Sequence, residues 1–220
     1  GFADFLNIPK KNIFTISNQS KMYEAALTEP TAVALHAVNL SSLHLQDDIR
    51  KANIIIIGGG SIGLLTSIIL KNKNINNITL LDTNYIRLQE CRKHSNAIVA
   101  HPNSNKIKNN NYNIVFDAVG SIETRRKSLE LISKGGIIIH IGLTQNEGGL
   151  DFLKLTRDEI TFIGSYAYSN KEFKKSLSMI LNNKLGDLSW VDYAPLKDGQ
   201  IIFNSINQGK TKYPKTILIP

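Results

Sequence analysis

The sequence predicts an α/β fold built on a doubly wound parallel sheet, and three observations carry that prediction. Ile54 to Ile57 are four uninterrupted β-branched residues, the pattern of a parallel strand buried on both faces. Gly58, Gly60 and Gly63 then form a G-x-G-x-x-G turn, followed by Leu64, Leu65, Ile68 and Ile69 at helical spacing. Downstream, strand and helix patterns alternate strictly, as parallel strands joined by right-handed crossovers require.

The glycine-rich unit is the centre of the argument. Gly58 permits a tight turn, Gly60 lets a pyrophosphate approach the backbone, and Gly63 lets the new helix pack close to the strand. The helix start at Ser61 and Ile62 offers unpaired N–H groups and the positive end of the dipole. Two other readings of the stretch exist. From Ile54 to Leu70 there is no charge, and Gly59 with Gly63 also reads as G-x-x-x-G. A membrane helix is opposed by the short length of that run and by three consecutive glycines. A turn without a ligand is the second alternative. No Lys-Ser/Thr follows Gly63, so the loop is not of the Walker type.

The elements follow in order. Phe2 to Ile8 and Ile13 to Ile16 read as short extended pieces. Ser20 is a candidate cap for a short helix through Leu27. Thr28-Glu29-Pro30 starts a longer helix carrying Val33, Leu35, Val38 and Leu40, with proline where a missing N–H costs nothing. After the glycine-rich unit, Ile78 to Asp82 is a strand, Thr83 to His94 a polar helix and Ala97 to Ala100 a third strand. Residues 103–112 are an asparagine-rich loop or ragged helix, and Ile114 to Gly120 is a fourth strand. Ser121 caps a helix ending at Lys134-Gly135. Ile137 to Ile141 and Ile160 to Gly164 are the fifth and sixth strands, and 170–182 is a helix. Ser189 to Tyr193, a helix from Pro195 to Asn207 and Thr216 to Ile219 complete the chain. The expected division is 1–45, a flanking remnant with its connecting helix; 46–182, the sheet domain; and 183–220, a return to the flanking lobe.

Composition limits the functions. The chain has 220 residues, 42% hydrophobic and 20% charged, with a single cysteine, Cys91. That is an ordinary globular composition without a disulfide framework, and a cytoplasmic setting is expected. The net charge of +8 comes from scattered lysines, which gives no reason to expect a nucleic-acid or membrane surface. Because the chain opens on Gly1, mid-pattern, it is expected to be a fragment.

The candidate binding residues lie at strand ends. Asp82 falls 24 positions after Gly58, near where an acid holds the adenosine ribose hydroxyls of a dinucleotide. The same carboxylate repels a 2′-phosphate, which favours NAD over NADP; its other role would be to cap the next helix. Arg87 is placed over the adenine, against Asp82, or on the helix surface as a solvated charge. Val119-Gly120 and Gly142-Leu143 end the fourth and fifth strands, where small residues would let a nicotinamide ring lie close. They also read as turn glycines. Glu29 is a helix-start anion or a metal ligand. His36, His44, His94, His101 and His140 show no metal spacing, and His140 reads as a core histidine or a group near the cleft.

The run Tyr23-Glu-Ala-Ala-Leu-Thr-Glu-Pro-Thr-Ala-Val-Ala-Leu-His-Ala-Val38 resembles the connecting helix of the medium-chain, zinc-dependent alcohol and polyol dehydrogenases. The likeness continues through Gly58 to Gly63, Leu81-Asp82 with Arg87-Leu88, Phe116 to Gly120, Gly135-Gly136, Gly164 to Tyr168 and Lys215 to Pro220. Gly1 to Asp4 is similar to the family's strand after its structural zinc lobe. The nearest branch is that of the sorbitol and threonine dehydrogenases. The resemblance implies a Rossmann sheet of order 3-2-1-4-5-6 flanked by part of a GroES-like catalytic lobe. It also implies a hydride transfer between NAD and a secondary alcohol or polyol, assisted by zinc. It places Glu29 at the zinc and Tyr168 beside the substrate, and implies a homodimer or homotetramer. Ala167 stands where sorbitol dehydrogenases carry arginine, which sets sorbitol itself aside. The family's zinc-binding cysteine and histidine-glutamate pair have no counterpart from Gly1 onward, so this chain is expected to bind NAD without turnover. The alternatives are a zinc-independent quinone or enone reductase of the same superfamily, or a non-enzymatic NAD-binding module.

Overall fold

A computed structural model describes residues 2–16, 19–45 and 48–220, apart from the side chain of Ser20. The proposed Ser20 cap and Gly1 therefore lie outside the described residues. β1 (Ile54–Ile57) is the middle of a six-stranded sheet. It pairs in parallel with β2 (Ile78–Leu81) on one side and β4 (Tyr112–Asp117) on the other. β3 (Ile98–Ala100) lies outside β2, while β5 (Ile132–His140) and the edge strand β6 (Thr161–Gly164) extend the sheet beyond β4. All of these pairings are parallel, and the order is 3-2-1-4-5-6, as the sequence predicts.

The isoleucine run shows why the fold forms here. Ile54 and Ile56 belong to one apolar core, Ile55 and Ile57 to the other. Period-two geometry thus sends one strand into two cores at once. The first core is closed by α1 (Thr28–His44), α2 (Ser61–Asn72), α3 (Tyr85–His94) and α6 (Asn170–Leu181) through residues such as Leu35, Leu65, Cys91 and Ile180. The second is closed by α4 (Ile122–Leu131) and the six-residue α5 (Phe152–Arg157) through Leu129 and Leu155.

α1 is buried around most of its circumference, including Thr31, Ala34, Leu35, Ala37 and Val38. It is tied to α6 by Glu172, whose Oε1 accepts from Asn39 Nδ2 at 2.9 Å and meets His36 Nδ1 at 3.1 Å. Glu172 Oε2 accepts from the Ser169 backbone N–H, closing the capping box of α6. Burial pushes the Glu172 carboxyl upward, but the hydrogen bonds from Ser169, Asn39 and His36 outweigh it and hold the pKa at about 2. The tail forms a separate parallel pair, β7 (Val191–Pro195) with β8 (Lys215–Ile219), bridged by α7 (Gly199–Asn207). Trp190, Val191 and Ile217 anchor this pair in the first core.

Several expectations are corrected. Residues 2–16 form no strand; they contain only a 3₁₀ turn over Lys10–Asn12, so the strand expected at Gly1 to Asp4 is not found over 2–4. The short piece has no neighbour to pair with. The helix after Ser121 ends at Leu131 rather than Lys134-Gly135, and Ile132 already opens β5. Gly135, at φ +69°, sits in the early, irregular part of β5 and donates to Asp158 O. The short helix α5 carries little periodicity and is not anticipated by the sequence.

Candidate functional site

The winding reverses between β1 and β4, so the loops leaving these two strands open a crevice at the carboxyl edge of the sheet. On the β1 side, Gly58 adopts φ +103°, and a Cβ there would lie 2.7 Å from Val119 Cγ2. Gly63 presses α2 onto the same turn, since an added Cβ would collide with Gly58 O. Gly59 is enclosed: an added Cβ would lie 3.0 Å from Cys91 Sγ and 3.2 Å from Asp82 Oδ2. Gly60 differs from all of these. Its backbone is ordinary and extended, at φ −72° and ψ −172°, and an added Cβ meets nothing within 4 Å. Neither conformation nor packing explains a glycine at Gly60, which leaves open space in front of the α2 N-terminus. Gly60 brings no side-chain cap, so the N–H groups of Ser61, Ile62 and Gly63 face that space without intrahelical partners.

Asp82 ends the neighbouring strand, 7% exposed. Its Oδ2 accepts from the Gly59 N–H at 2.7 Å and from Arg87 Nη1 at 3.2 Å, and its Oδ1 accepts from the Asn84 N–H at 2.7 Å. Arg87 therefore pairs with Asp82, and its buried Nε has no partner. Cys91 donates to Gly59 O, and burial raises its thiol pKa to about 12, so it is a packing group rather than a nucleophile. The tail covers this side: Phe203, Ile206, Tyr213 and Lys215 face Gly60, Ser61 and Arg87 across a cleft of about 340 Å³. The sequence gives no sign of that tail wall, because its residues lie more than 110 positions from the glycine loop.

On the β4 side, Val119-Gly120 and Gly142-Leu143 come together, and the reason is packing. Gly120 has φ +73°, and a Cβ there would collide with Gly142 O; one on Gly142 would collide with the Val119 carbonyl. Two backbones are in contact, and glycine is required at both positions. Asp117, fully buried, builds this turn: its Oδ1 accepts from the N–H groups of Val119 (3.0 Å) and Gly120 (2.8 Å), and its Oδ2 from the Thr124 hydroxyl (3.0 Å). Asp117 is missed by a search keyed to glycine spacing, although an acid three residues before a strand-end glycine is a usable signal. His140 Nε2 lies 3.8 Å from Asp117 Oδ2 and 3.5 Å from Arg125 Nη1. Burial lowers the His140 pKa, Arg125 lowers it further, and Asp117 opposes the shift. Leu143 is 77% exposed.

Glu29 lies in the first turn of α1 and is exposed, while Tyr168 follows β6 and is half-buried. Burial raises the Tyr168 phenol pKa, and the Glu29 charge adds to the shift. Tyr168 packs on Phe173, with ring centroids 5.6 Å apart. Among the described residues, no group of three His, Cys, Asp or Glu side chains converges as a metal site. None of the described helices is long and apolar enough to cross a membrane.

The sequence profile of the zinc-binding dehydrogenases matches residues 61–182, from the N-terminus of α2 to the end of α6. The chain belongs to the zinc-binding dehydrogenase family. It is 20% identical to a probable D-xylulose reductase A of Aspergillus clavatus, over 94% of this chain and 60% of that protein. It is 24% identical to an L-threonine 3-dehydrogenase of Coxiella burnetii, over 96% of this chain and 62% of that protein. The chain thus spans about 60% of the length of these curated relatives. A crystal structure of an alcohol dehydrogenase from the archaeon Aeropyrum pernix superposes on it with a TM-score of 0.85. That match has 20% identity and covers all of this chain and 65% of the other, which establishes the shared zinc-binding dehydrogenase fold.

Proposed function

We propose that this chain carries the dinucleotide-binding part of an NAD-dependent dehydrogenase acting on a secondary alcohol or polyol. The observation that carries the proposal is Gly60, a glycine that the protein's own conformation and packing leave unexplained, at a bare helix N-terminus in the switch-point crevice. The residues there fit the group. Gly58, Gly60, Ser61, Ile62 and Gly63 would hold the pyrophosphate with backbone N–H groups. Asp82 would accept from the ribose hydroxyls, while Arg87 steadies its carboxylate. Val119, Gly120, Gly142 and Leu143 would border the nicotinamide, which supplies a hydride acceptor when NAD is bound. The tail wall would flank the pyrophosphate across that cleft.

Substrate would enter between this edge and the Glu29–Tyr168 pair, with the Tyr168 hydroxyl directing the alcohol. Its raised pKa keeps it a hydrogen-bond donor near neutrality. Glu29 is the carboxylate assigned to a zinc ion. One carboxylate does not make a zinc site, so the described donor set does not by itself fit the metal. Residues 46–182 serve as the cofactor domain in this proposal, with 1–45 and 183–220 belonging to a flanking catalytic lobe. The proposal includes a homodimer or homotetramer formed along the free β6 edge, where Phe152, Leu153 and Tyr166 are exposed.

Calorimetric titration of the chain with NAD and with NADP tests the assignment. The expected result is at least about tenfold tighter binding of NAD, the effect of one unfavourable phosphate–carboxylate contact. Equal affinity would remove the ribose role from Asp82, and absence of binding to either would end the dinucleotide proposal.

A further inference from the structure

Arg125 is a buried cation for which the proposed chemistry has no use. It is 5% exposed, and among the described residues its guanidinium makes hydrogen bonds only to the main chain and to His140. Nε donates to Gly148 O at 2.6 Å; Nη1 donates to Gly120 O at 3.0 Å and to Gln145 O at 2.9 Å; Nη2 donates to Glu147 O. A buried guanidinium costs several kcal/mol unless its donors are satisfied. These donors are satisfied by carbonyls of two different loops. Gly120 ends the turn after β4, whereas Gln145, Glu147 and Gly148 belong to the connection between β5 and α5, which has no regular structure over 141–150.

That connection contains Gly148 and Gly149, both at positive φ, and would not hold one shape alone. Its other ties reach the same place. Thr144 donates to Val119 O through its N–H and its hydroxyl, Gln145 N–H donates to Gly120 O, and Gln145 Oε1 accepts from the Ile122 N–H. A planar fork can span such a set of carbonyls; a lysine ammonium, with three donors at one point, cannot reach them all.

We propose that Arg125 is a positioning residue: it clamps the Val119–Gly120 turn and the Gly142–Leu143 loop together and thereby sets the nicotinamide half of the dinucleotide site. The inference rests on the proposed dinucleotide function. It separates the two halves of the ligand, because Asp82, Arg87 and the Gly59 N–H share no hydrogen bond with Arg125. The adenosine end is held whether or not the clamp is present.

The test is calorimetry on the 220-residue chain with ADP-ribose and with NADH, in the unaltered protein and in Arg125→Gln and Arg125→Lys. ADP-ribose affinity is expected to stay within about twofold, while the preference for NADH over ADP-ribose falls about tenfold in Arg125→Gln and is partly restored in Arg125→Lys. Gln145→Ala guards against a folding failure, since its side chain is exposed and it removes only the tie to Ile122. It is expected to lower the same ratio by about twofold with an unchanged melting temperature. An unchanged ratio in every variant that folds overturns the clamp, and so does an unaltered chain with no preference for NADH over ADP-ribose. If the unaltered chain binds neither ligand, the dinucleotide proposal itself fails, which is a different result.

Discussion

Two aspartates stand at the ends of β2 and β4, the strands on either side of β1, and hold the two lips of the crevice, yet they do so differently. Asp117 turns back on its own loop, giving one oxygen to two N–H groups of Val119 and Gly120 and the other to Thr124. Asp82 keeps one oxygen on the Asn84 N–H of its own loop but reaches with the other across to the adjacent loop, where it accepts from Gly59 and is faced by Arg87. The glycines show the same contrast. Gly120 and Gly142 are dictated by backbone contact, whereas Gly60 answers to nothing in the protein. A strand-end glycine is therefore evidence for a ligand only after its packing explanation has been tested and has failed.

The largest effect that bears on this contrast is expected from Asp117→Asn. An amide offers one acceptor oxygen where the carboxylate offers two, so buried N–H groups or the Thr124 hydroxyl lose a partner. The expected loss is about 3 kcal/mol of unfolding free energy, read from the urea midpoint, with NAD-over-NADP selectivity unchanged. Asp82→Asn comes second. It keeps an acceptor for Gly59 but gives up the one facing the less enclosed Asn84 N–H and the charge facing Arg87, for about 1.5 kcal/mol of stability. Its distinguishing result is a fall in NAD-over-NADP preference, measured by paired titrations. If Asp117→Asn shifts selectivity and Asp82→Asn does not, the two roles are exchanged.

Gly60→Ala follows, with the two observables separated. Its backbone angles suit alanine and its surroundings are empty, so stability should stay within about 0.5 kcal/mol. Binding of NAD should nevertheless weaken about tenfold, because the new methyl occupies the space in front of the α2 N-terminus. Unaltered binding would mean that the open space is not where the ligand lies.

The sheet was legible because its strands are short apolar runs such as Ile54–Ile57, whose length, β-branching and flanking glycines mark them as strands rather than buried helix. The β1-side loop was legible because the glycine pattern is local. Other features were not. Residues 2–16 have extended-looking composition, but strand identity depends on a neighbour, which no local pattern reports. Lys134-Gly135 reads as a helix stop, while the chain uses Gly135 for a positive-φ irregularity inside β5. Asp117 and Arg125 escaped because their partners are loop carbonyls and N–H groups, which carry no side-chain signature. Tyr168 was matched by resemblance alone, whereas Glu29 was legible from its place before Pro30; that the Glu29 charge bears on Tyr168 is a property of the fold.

The smallest expected effect concerns protons, and it distinguishes the lips again. His140 lies beneath the β4-side loop, facing Asp117 and Arg125, whereas no histidine touches Asp82 or Gly59. Burial and Arg125 lower its folded pKa below the unfolded value of 6.5 against the opposing pull of Asp117. Below that value the unfolded chain binds the proton more readily than the folded one, so stability rises with pH across the window. His140 therefore contributes its full share above about pH 6.5 and loses it as the pH falls toward the lower folded value. Thermal melts between about pH 7.5 and 5.5 should show the unaltered chain losing stability on acidification relative to His140→Gln, which keeps an acceptor near Arg125 but cannot titrate. Parallel curves would mean that Asp117 compensates for the burial. Added NAD should raise both melting temperatures without removing the gap between them, because the proton sits under the nicotinamide-side loop and the phosphate is held by the other lip.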